Sequence, residues 1–291
     1  MANVLCIEDQ LSVIHHLCEG CSIRSITRVT GIHRTTILKI LVRFGEACRE
    51  FLDQNLRGLE LRHVQCDEIW TFVQKKQGRL QAMEKDNPVI GDQYLWVALD
   101  TDTKLIASFC IGKRSADMAR RFMVDLADRI ALPVPTDTGA RDGIIPQLST
   151  DGFNAYPEAV DLAFGEYVRY GQIVKDYRNA DQPGRYGPPE LVGTDRREVF
   201  GPIDTDTICT SHVERSNLTI RTLLKRFTRL SLCFSKKLEN LAAAVAIYVA
   251  YYDFCWQHRT LKGRTPAMVA GVTGRPWSVE ELWERVMRSA E

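Results

Sequence analysis

The chain has 291 residues, of which 45% are hydrophobic, and a formal net charge of +1, so a sizeable core can form in one large domain or in two to three smaller ones. The longest apolar stretch, residues 241–250, is too short to span a bilayer, which excludes a membrane-spanning protein. Nine scattered cysteines with no secretory signal before them predict reduced thiols in a cytoplasmic protein.

The first 50 or so residues are predicted to be helical, and residues 22–41 have the pattern of a helix-turn-helix. Ile23, Ile26 and Val29 form one apolar face, and Gly31 supplies the turn before the second helix. The side chains expected to point outward on that second helix, where such proteins contact DNA, are Arg34, Thr35, Thr36 and Lys39. The alternative is a small helical subdomain that makes no DNA contact.

Cysteine and histidine residues near the N-terminus raise the question of a zinc site. Cys18 and Cys21 have zinc-like spacing, and three further possible ligands lie nearby: Cys6, His15 and His16. A second CxxC or HxxxH pair is missing, and the apolar residues of this segment fit one helix. Buried thiols are therefore the favoured interpretation, with a structural zinc site as the alternative.

A helix and a connector over residues 46–62 are predicted to lead into an α/β domain. From there the pattern indicates three antiparallel strands, a helix, a strand, a helix and a strand, which is the order of a ribonuclease H-like domain. These elements are a strand around Asp67, a hairpin of residues 94–100 and 104–112, a helix over 115–130, a strand that ends at Asp151, a helix over 154–164 and a strand over 167–174. We therefore predict an α/β fold with a ribonuclease H-like mixed sheet and flanking helices, preceded by an all-α helix-turn-helix domain.

The predicted domain boundaries divide the chain into three parts. Residues 1–60 form the helix-turn-helix domain and its connector, residues 61–260 the ribonuclease H-like catalytic domain, and residues 261–291 a C-terminal helical tail. Prolines and glycines interrupt residues 178–210, so we predict a long inserted loop there, and long loops in compact domains are often functional. A helix that contains Glu214 and a largely apolar helix over residues 236–256 complete the catalytic domain.

Three carboxylates occupy distinct settings in this predicted domain. Asp67 lies in an apolar strand, Asp151 ends a strand before a turn, and Glu214 lies in a helix. An acid among apolar residues requires an explanation, because burying an unpaired charge is costly. The alternatives are a strand-edge charge for Asp67, turn chemistry for Asp151 and a solvated helix position for Glu214.

The chemistry predicted for these carboxylates is metal-assisted phosphoryl transfer. Mg²⁺ prefers oxygen ligands, and three carboxylates suffice to hold two such ions about 4 Å apart. We therefore expect Asp67, Asp151 and Glu214 to be metal ligands, with Mg²⁺ as the cofactor and Mn²⁺ as a tolerated substitute. Glu68 is the chief competitor of Asp67, but side chains alternate along a strand, so we expect Glu68 to point to the opposite face.

Basic residues follow Glu214 in a chain whose net charge alone indicates no nucleic-acid binding. Residues 215–237 contain seven of them and no acid: Arg215, Arg221, Lys225, Arg226, Arg229, Lys236 and Lys237. Asn217, Arg221 and Lys225 fall at i+3, i+7 and i+11 from Glu214, on roughly one helical face. With Arg215 they are predicted to hold a DNA phosphate backbone next to the metals, and a solvated basic face is the alternative.

Three blocks of residues around the carboxylates carry a resemblance to a known family. They are residues 66–73 (CDEIWTFV), 149–156 (STDGFNAY) and 212–221 (HVERSNLTIR). With these blocks the chain resembles DDE transposases of the insertion-sequence-one type over about residues 20–270. The resemblance implies a ribonuclease H-like catalytic core, and it maps the two aspartates and the glutamate of the family onto Asp67, Asp151 and Glu214.

The resemblance also implies an activity and its partners. It implies metal-dependent cleavage at a DNA 3′ end and joining of that end to target DNA, with the helix-turn-helix recognising the terminal inverted repeats of the element. Double-stranded DNA is therefore the expected partner and the bacterial nucleoid the expected place. Many members carry a cysteine zinc finger before the helix-turn-helix, which this chain lacks in complete form. Cutting and joining two ends needs two active sites, so we expect a homodimer or a larger assembly.

Two other functions remain open at the level of the sequence. One is a metal-dependent nuclease of the same fold, which would cut DNA without joining it. The other is a domesticated, non-catalytic DNA-binding regulator, against which the intact set of three acids argues.

Overall fold

A six-stranded mixed sheet with helices on both faces forms the centre of the molecule. The structure, a computed structural model, describes residues 5–135, 141–178, 190–228 and 231–289. Within these ranges the helices are α1 Ile7–Cys18, α2 Ile23–Thr30, α3 Arg34–Asn55, α4 Ala116–Arg129, α5 Tyr156–Phe164, α6 Ser211–Leu223, α7 Leu238–Phe254, α8 Pro266–Val269 and α9 Val279–Ser289. The strands of the sheet are β1 His63–Val73, β2 Gly91–Asp100, β3 Ile106–Gly112, β4 Gln147–Asp151, β5 Arg169–Arg178 and β6 Glu190–Phe200.

The strand order is β3-β2-β1-β4-β5-β6. The pairs β1/β2, β2/β3 and β5/β6 are antiparallel, and the pairs β1/β4 and β4/β5 are parallel. The helices α4 and α5 connect β3 to β4 and β4 to β5, as parallel strands require a crossover. The first five strands in this order confirm the predicted ribonuclease H-like mixed sheet, and the predicted hairpin and the helix capped by Ser115 are present as β2, β3 and α4.

The two faces of β1 contact different helical layers. Trp96 of β2, which pairs with Glu68, packs against Phe122 of α4 and Tyr156 of α5. On the other face, the side-chain oxygen of Gln65 accepts hydrogen bonds from the first backbone N–H groups of α6. Neighbouring residues of β1 therefore face α4 and α5 on one side and α6 on the other.

The predicted loop over residues 178–210 is corrected by the structure. Residues 190–200 form β6, an antiparallel edge strand, and β5 continues beyond the predicted end at residue 174 to Arg178. Most side chains of β6 are exposed on both faces, so its residues show no alternation of apolar and polar types. Backbone pairing with β5, rather than burial, defines this strand, and residues 179–189 lie outside the described part of the chain.

The N-terminal helices pack onto the helical layer that covers the sheet. The helix α3 continues through the predicted connector as far as Asn55 and packs along α7, and the ring of its Phe44 stacks on Trp283 of α9 at 5.0 Å. One continuous hydrophobic core joins all these elements. The helix-turn-helix region is consistent with the prediction, while the boundaries at residues 60 and 261 stay a prediction. Nowhere in the described ranges is a helix both long enough and apolar enough to cross a membrane.

The crossing of α3 and α7 depends on a glycine. A Cβ atom placed on Gly45 would lie 2.5 Å from the Cα atom of Ala243, so the two backbones approach too closely for any side chain. We expect Gly45→Val to lower the free energy of unfolding by about 1–3 kcal/mol through overpacking, measured by thermal or urea unfolding. Gly78→Val is the matched control, since nothing lies within 4 Å of a Cβ there. Equal losses in the two variants would contradict the tight crossing.

Candidate active site

Asp67 lies in the middle strand of the sheet and faces α6. Its Oδ2 atom accepts a hydrogen bond of 2.7 Å from Nδ2 of Asn217, and its Oδ1 atom accepts one of 2.8 Å from the backbone N–H of Glu68. Burial is the largest cause that raises the pKa of Asp67, and the negative charges of neighbouring acids add to it, bringing the pKa to about 7. The site therefore contains a carboxylate whose negative charge is incompletely balanced.

Asp151 lies beside Asp67 because of the parallel pairing of β1 and β4. Cys66 pairs with Thr150 in this ladder, so the next residue of each strand is an aspartate at the same end of the sheet. The Oδ1 atom of Asp151 accepts a hydrogen bond of 3.0 Å from the backbone N–H of Phe153, which fixes the turn after β4. The predicted juxtaposition of the two aspartates is present in the structure.

Glu68 was expected to point away from this site, and that expectation is wrong. One carboxylate oxygen from each of Asp67, Glu68 and Asp151 lies within 4.8 Å of the others. Alternation along β1 fixes the direction of the Cβ atom of Glu68, but it does not fix the position of the carboxylate at the end of this long side chain. Glu68 is held there by hydrogen bonds from the hydroxyl of Tyr156 and from Nε of Arg114, and its side chain is only 3% exposed. Burial and then Asp151 raise the pKa of Glu68.

Glu214 lies on α6 at the side of this cluster. Its carboxylate accepts hydrogen bonds from the ammonium group of Lys175 on β5 and from the hydroxyl of Thr210. It is close enough to Asp67 to contribute to the raised pKa of that residue, but it does not belong to the group of three acids within 4.8 Å. The structure thus brings Asp67, Asp151 and Glu68 together. Glu214 lies next to them and forms an ion pair with Lys175.

Arg114 is the cation of the acidic cluster, and no local pattern in the sequence indicates this role. Its Nε atom donates to Glu68 at 2.9 Å and a terminal nitrogen donates to Asp151 at 3.0 Å. The guanidinium group also lies over the ring of Phe153, 4.1 Å from the centroid. Because β3 ends just before Arg114, only the assembled sheet brings this arginine to Glu68 of β1 and to Asp151 at the end of β4.

We expect Arg114→Ala to lower the free energy of unfolding by about 1–3 kcal/mol in metal-free buffer at neutral pH, because two adjacent carboxylates lose a shared, partly exposed counter-charge. Added Mg²⁺ should then raise the melting temperature of the variant more than that of the original chain. Arg120→Ala is the control, since Arg120 pairs with the exposed Glu158 away from the cluster. An unchanged response to Mg²⁺ in Arg114→Ala would contradict this assignment.

The helix-turn-helix candidates lie where the sequence predicts. The side chains of Arg34, Thr35 and Lys39 are exposed and that of Thr36 is partly exposed, on the first turns of α3. Gly31, with a φ of 73°, makes the left-handed turn between α2 and α3. The contact of these four residues with DNA stays a prediction.

The basic stripe after Glu214 is only partly as predicted. Arg215 and Lys225 are exposed and Arg221 is partly buried. Asn217 is 3% exposed and hydrogen-bonded to Asp67, so a direct contact with DNA does not fit its position. Because α6 ends at Leu223, Lys225 lies in the 3-10 helix Lys225–Phe227 and leaves the helical face that its spacing from Glu214 predicted.

Comparison with known proteins agrees with the resemblance that the sequence carries. Residues 197–255 match the family model described as IS1 transposase. The chain is also 22% identical over 188 residues to the insertion element iso-IS1n protein InsB of Shigella dysenteriae, a match that covers 65% of this chain and 94% of that protein. The chain resembles an IS1 transposase. The matched segment contains Glu214 and the whole of α6 and α7, and the predicted resemblance is thereby confirmed.

The cysteines that prompted the zinc question do not come together in this IS1-like chain. Across the described ranges, the only group of three or more possible metal ligands is Asp67, Glu68 and Asp151. The ring of His15 pairs with Glu280 at 2.7 Å, and that of His16 with the backbone oxygen of Ser12 at 2.6 Å. Cys18 is buried, and this burial raises its pKa well above the usual range, as expected for an inert core thiol.

The acidic cluster of Asp67, Glu68 and Asp151 fits a divalent cation. Its donors are carboxylate oxygens, the ligands that Mg²⁺ and Mn²⁺ prefer. The raised pKa of Asp67 also fits a bound cation, because a positive charge there would offset the repulsion between the acids. Among the described residues, Arg114 donates to Glu68 and Asp151 and so balances part of their charge, whereas the hydrogen bonds to Asp67 come from Asn217 and the backbone N–H of Glu68.

Proposed function

We propose that this chain is a transposase that cleaves DNA at the 3′ ends of its element and joins them to target DNA. The observation that carries the proposal is the cluster of Asp67, Glu68 and Asp151 at one end of a ribonuclease H-like sheet, with Glu214 beside it. The match of residues 197–255 to IS1 transposases supports it, because it includes the helix of Glu214.

Asp67 and Asp151 are the proposed ligands of the divalent cation, and the resemblance adds Glu214 as the third. A bound Mg²⁺ or Mn²⁺ would lower the pKa of the attacking water or 3′-hydroxyl and stabilise the leaving oxygen. The protein orients its acids in advance: Asn217 and the backbone N–H of Glu68 hold the two oxygens of Asp67. Lys175 and Thr210 hold the carboxylate of Glu214 by hydrogen bonds.

The proposed DNA contacts lie on two separate surfaces. Arg34, Thr35, Thr36 and Lys39 of α3 would recognise the terminal inverted repeats in the major groove. Arg215, Arg221 and Lys225 would hold phosphates next to the acids, and Lys175 forms an ion pair with Glu214. Two ends have to be cut and joined, so we propose that a homodimer or larger assembly forms on the DNA.

The test is an incubation of the full chain with labelled duplexes carrying the DNA that flanks its coding sequence, with Mg²⁺ or Mn²⁺, followed by a denaturing gel. We expect nicked product with a 3′-hydroxyl, and joined product when the end is supplied pre-cut. Glu214→Gln and Asp151→Asn should lose both products and keep binding to the duplex in a gel shift. Glu158→Gln, on the exposed face of α5, is the matched control.

The outcomes separate the alternatives. Cleavage with no joined product from a pre-cut end would favour a nuclease of the same fold. Specific DNA binding without any cleaved or joined product, in the presence of Mg²⁺ or of Mn²⁺, would favour a DNA-binding regulator and overturn the catalytic proposal.

A further inference from the structure

Beyond the acids, β1 carries a row of aromatic side chains that the proposed reaction does not use. Trp70 and Phe72 follow Glu68 on the same face of the strand, with ring centroids 5.8 Å apart. Phe234 stacks on Phe72 at 4.9 Å with an interplanar angle of 29°. It is held beside β1 by a bridge between Val73 and Ser235. We call Trp70, Phe72 and Phe234 the aromatic shelf, and all three rings are partly exposed.

Positive charge surrounds the aromatic shelf. The ammonium group of Lys76 lies 5.5 Å from the ring centroid of Trp70 and 5.9 Å from that of Phe72. Arg79 and Arg226 line the same cleft, which has a volume of about 330 Å³. Lys75, also in the cleft wall, is neutralised by Glu84 at 2.7 Å.

The charges of Lys76, Arg79 and Arg226 are not compensated by acids. Over the ranges that the structure describes, no carboxylate forms an ion pair with any of the three. The Nε atom of Arg226 donates instead to the hydroxyl of Ser235 at 2.9 Å. Burial lowers the pKa of Arg226 to about 10, so its guanidinium group stays charged at neutral pH. Lys76 and Arg79 are exposed and Arg226 is partly buried, so an anion in the cleft would meet three positive charges.

Partly exposed aromatic rings together with cations that have no acidic partner are typical of one kind of binding site. Single-stranded nucleic acid is bound by stacking of its bases on aromatic rings and by cations along its backbone. Inside an undistorted duplex the base faces are stacked on one another, so aromatic rings reach them most readily where the bases are unpaired. We propose that the aromatic shelf binds unpaired nucleotides of DNA, whose bases stack on Trp70, Phe72 and Phe234 and whose phosphates contact Lys76, Arg79 and Arg226.

The position of the shelf relates it to the acidic cluster. Glu68 and Trp70 are two residues apart on one strand, which corresponds to about 7 Å along the chain. Nucleotides stacked on the shelf would therefore lie next to the phosphate at the acids, where separating the strands exposes a single-stranded 3′ end. This placement rests on the proposed function, whereas binding of unpaired DNA by the shelf requires neither metal nor catalysis.

The first test measures affinity of the full chain in the presence of EDTA. Fluorescence anisotropy compares a labelled oligothymidine with an oligomer of the same length in which every base is replaced by an abasic site. The phosphates are the same, so the ratio of the two dissociation constants reports the contribution of the bases. Stacking contributes roughly 5- to 150-fold in affinity per base, so we expect the oligothymidine to bind at least about tenfold more tightly. Equal affinities would overturn the proposal without any variant being needed.

The second test assigns the stacking to the shelf. Phe72→Ala and, separately, Phe234→Ala should reduce the preference for bases by roughly 5-fold or more, while Lys76→Gln should weaken both oligomers equally. Leu162→Ala, a hydrophobic truncation that is 64% exposed on α5, is the control and should change neither affinity. Circular dichroism and the gel shift with duplex DNA confirm that each variant is folded.

Two outcomes separate this inference from its alternative and from the proposed function. If Phe72→Ala leaves the preference for bases intact and lowers the oligomeric state measured by light scattering, the shelf is a protein interface and the proposal is overturned. If the chain cleaves no DNA but shows the base preference, and Phe72→Ala removes it, the inference stands and only the catalytic proposal fails.

Discussion

Replacing Asp67 by asparagine is expected to reduce metal-dependent DNA cleavage by roughly 1,000-fold or more, because several kcal/mol of charge stabilisation in the transition state depend on the metal. The same substitution should weaken the dependence of stability on pH in the metal-free protein. The second effect follows from the structure alone, because the pKa of Asp67 is raised to about 7 by burial and by neighbouring acids.

The direction of the pH effect follows from proton binding. In the unfolded chain Asp67 loses its proton near the ordinary aspartate pKa, about 4, whereas in the folded chain it keeps it until about pH 7. Between these values the folded state binds more protons than the unfolded state, so the free energy of unfolding falls as the pH rises. One such group lowers the free energy of unfolding by about 1.4 kcal/mol per pH unit between the two pKa values. Above the folded pKa its contribution no longer changes with pH.

Urea unfolding of the original chain and of Asp67→Asn, in EDTA and across this pH range, measures the effect. The variant should show a shallower decline, and Mg²⁺ should no longer raise its melting temperature. Part of the slope should remain, because the pKa of Glu68 is also raised. Asp161→Asn, in the last turn of α5, is the control for loss of a carboxylate outside the cluster. Parallel curves for Asp67→Asn and the original chain would contradict the assignment of the raised pKa to Asp67.

The sequence predicted those elements whose residues show a clear period and a stop signal. Two apolar runs around a turn defined β2 and β3, and the cap at Ser115 with helical spacing defined α4. The edge strand β6 escaped prediction because its polar, exposed residues carry no alternation. The full length of α3 was not predicted, because the helix packs against several different partners, α2, α7 and α9.

The candidate site was predictable for residues whose direction is set by local geometry. Asp67 and Asp151 share one end of two parallel strands, so strand order alone brings them together. Glu68 was misplaced because its carboxylate is directed by Arg114 and Tyr156, which are 46 and 88 residues away in the chain. Asn217 was assigned to DNA because helical spacing cannot distinguish a face turned to solvent from one turned to a strand. Long-range contacts, absent from any local pattern, decided both cases.

Asn217 carries the second large prediction, because it is a positioning residue for Asp67. Its Nδ2 atom donates to Asp67 at 2.7 Å, while its Oδ1 atom is buried and has no hydrogen-bond partner among the described residues. The amide thus serves as a donor to the carboxylate, and a donor stabilises the ionised form. Loss of such an outer partner of a metal ligand typically reduces metal affinity or activity by roughly 10- to 100-fold. We expect Asn217→Ala to lower the affinity for Mg²⁺ and the rate of DNA cleavage by roughly 10- to 100-fold.

The pH profile distinguishes positioning from general damage to the fold. Without the donor from Asn217 the pKa of Asp67 should rise further, and a carboxylate has to lose its proton to bind a metal. The pH at which Mg²⁺ half-saturates the protein, followed by its effect on the melting temperature, should therefore shift upward in Asn217→Ala. Leu218→Ala, the next residue of α6 and 51% exposed, should leave both the affinity and the pH profile unchanged. A weaker affinity with an unshifted profile would mean that Asn217 supports α6 rather than the charge of Asp67.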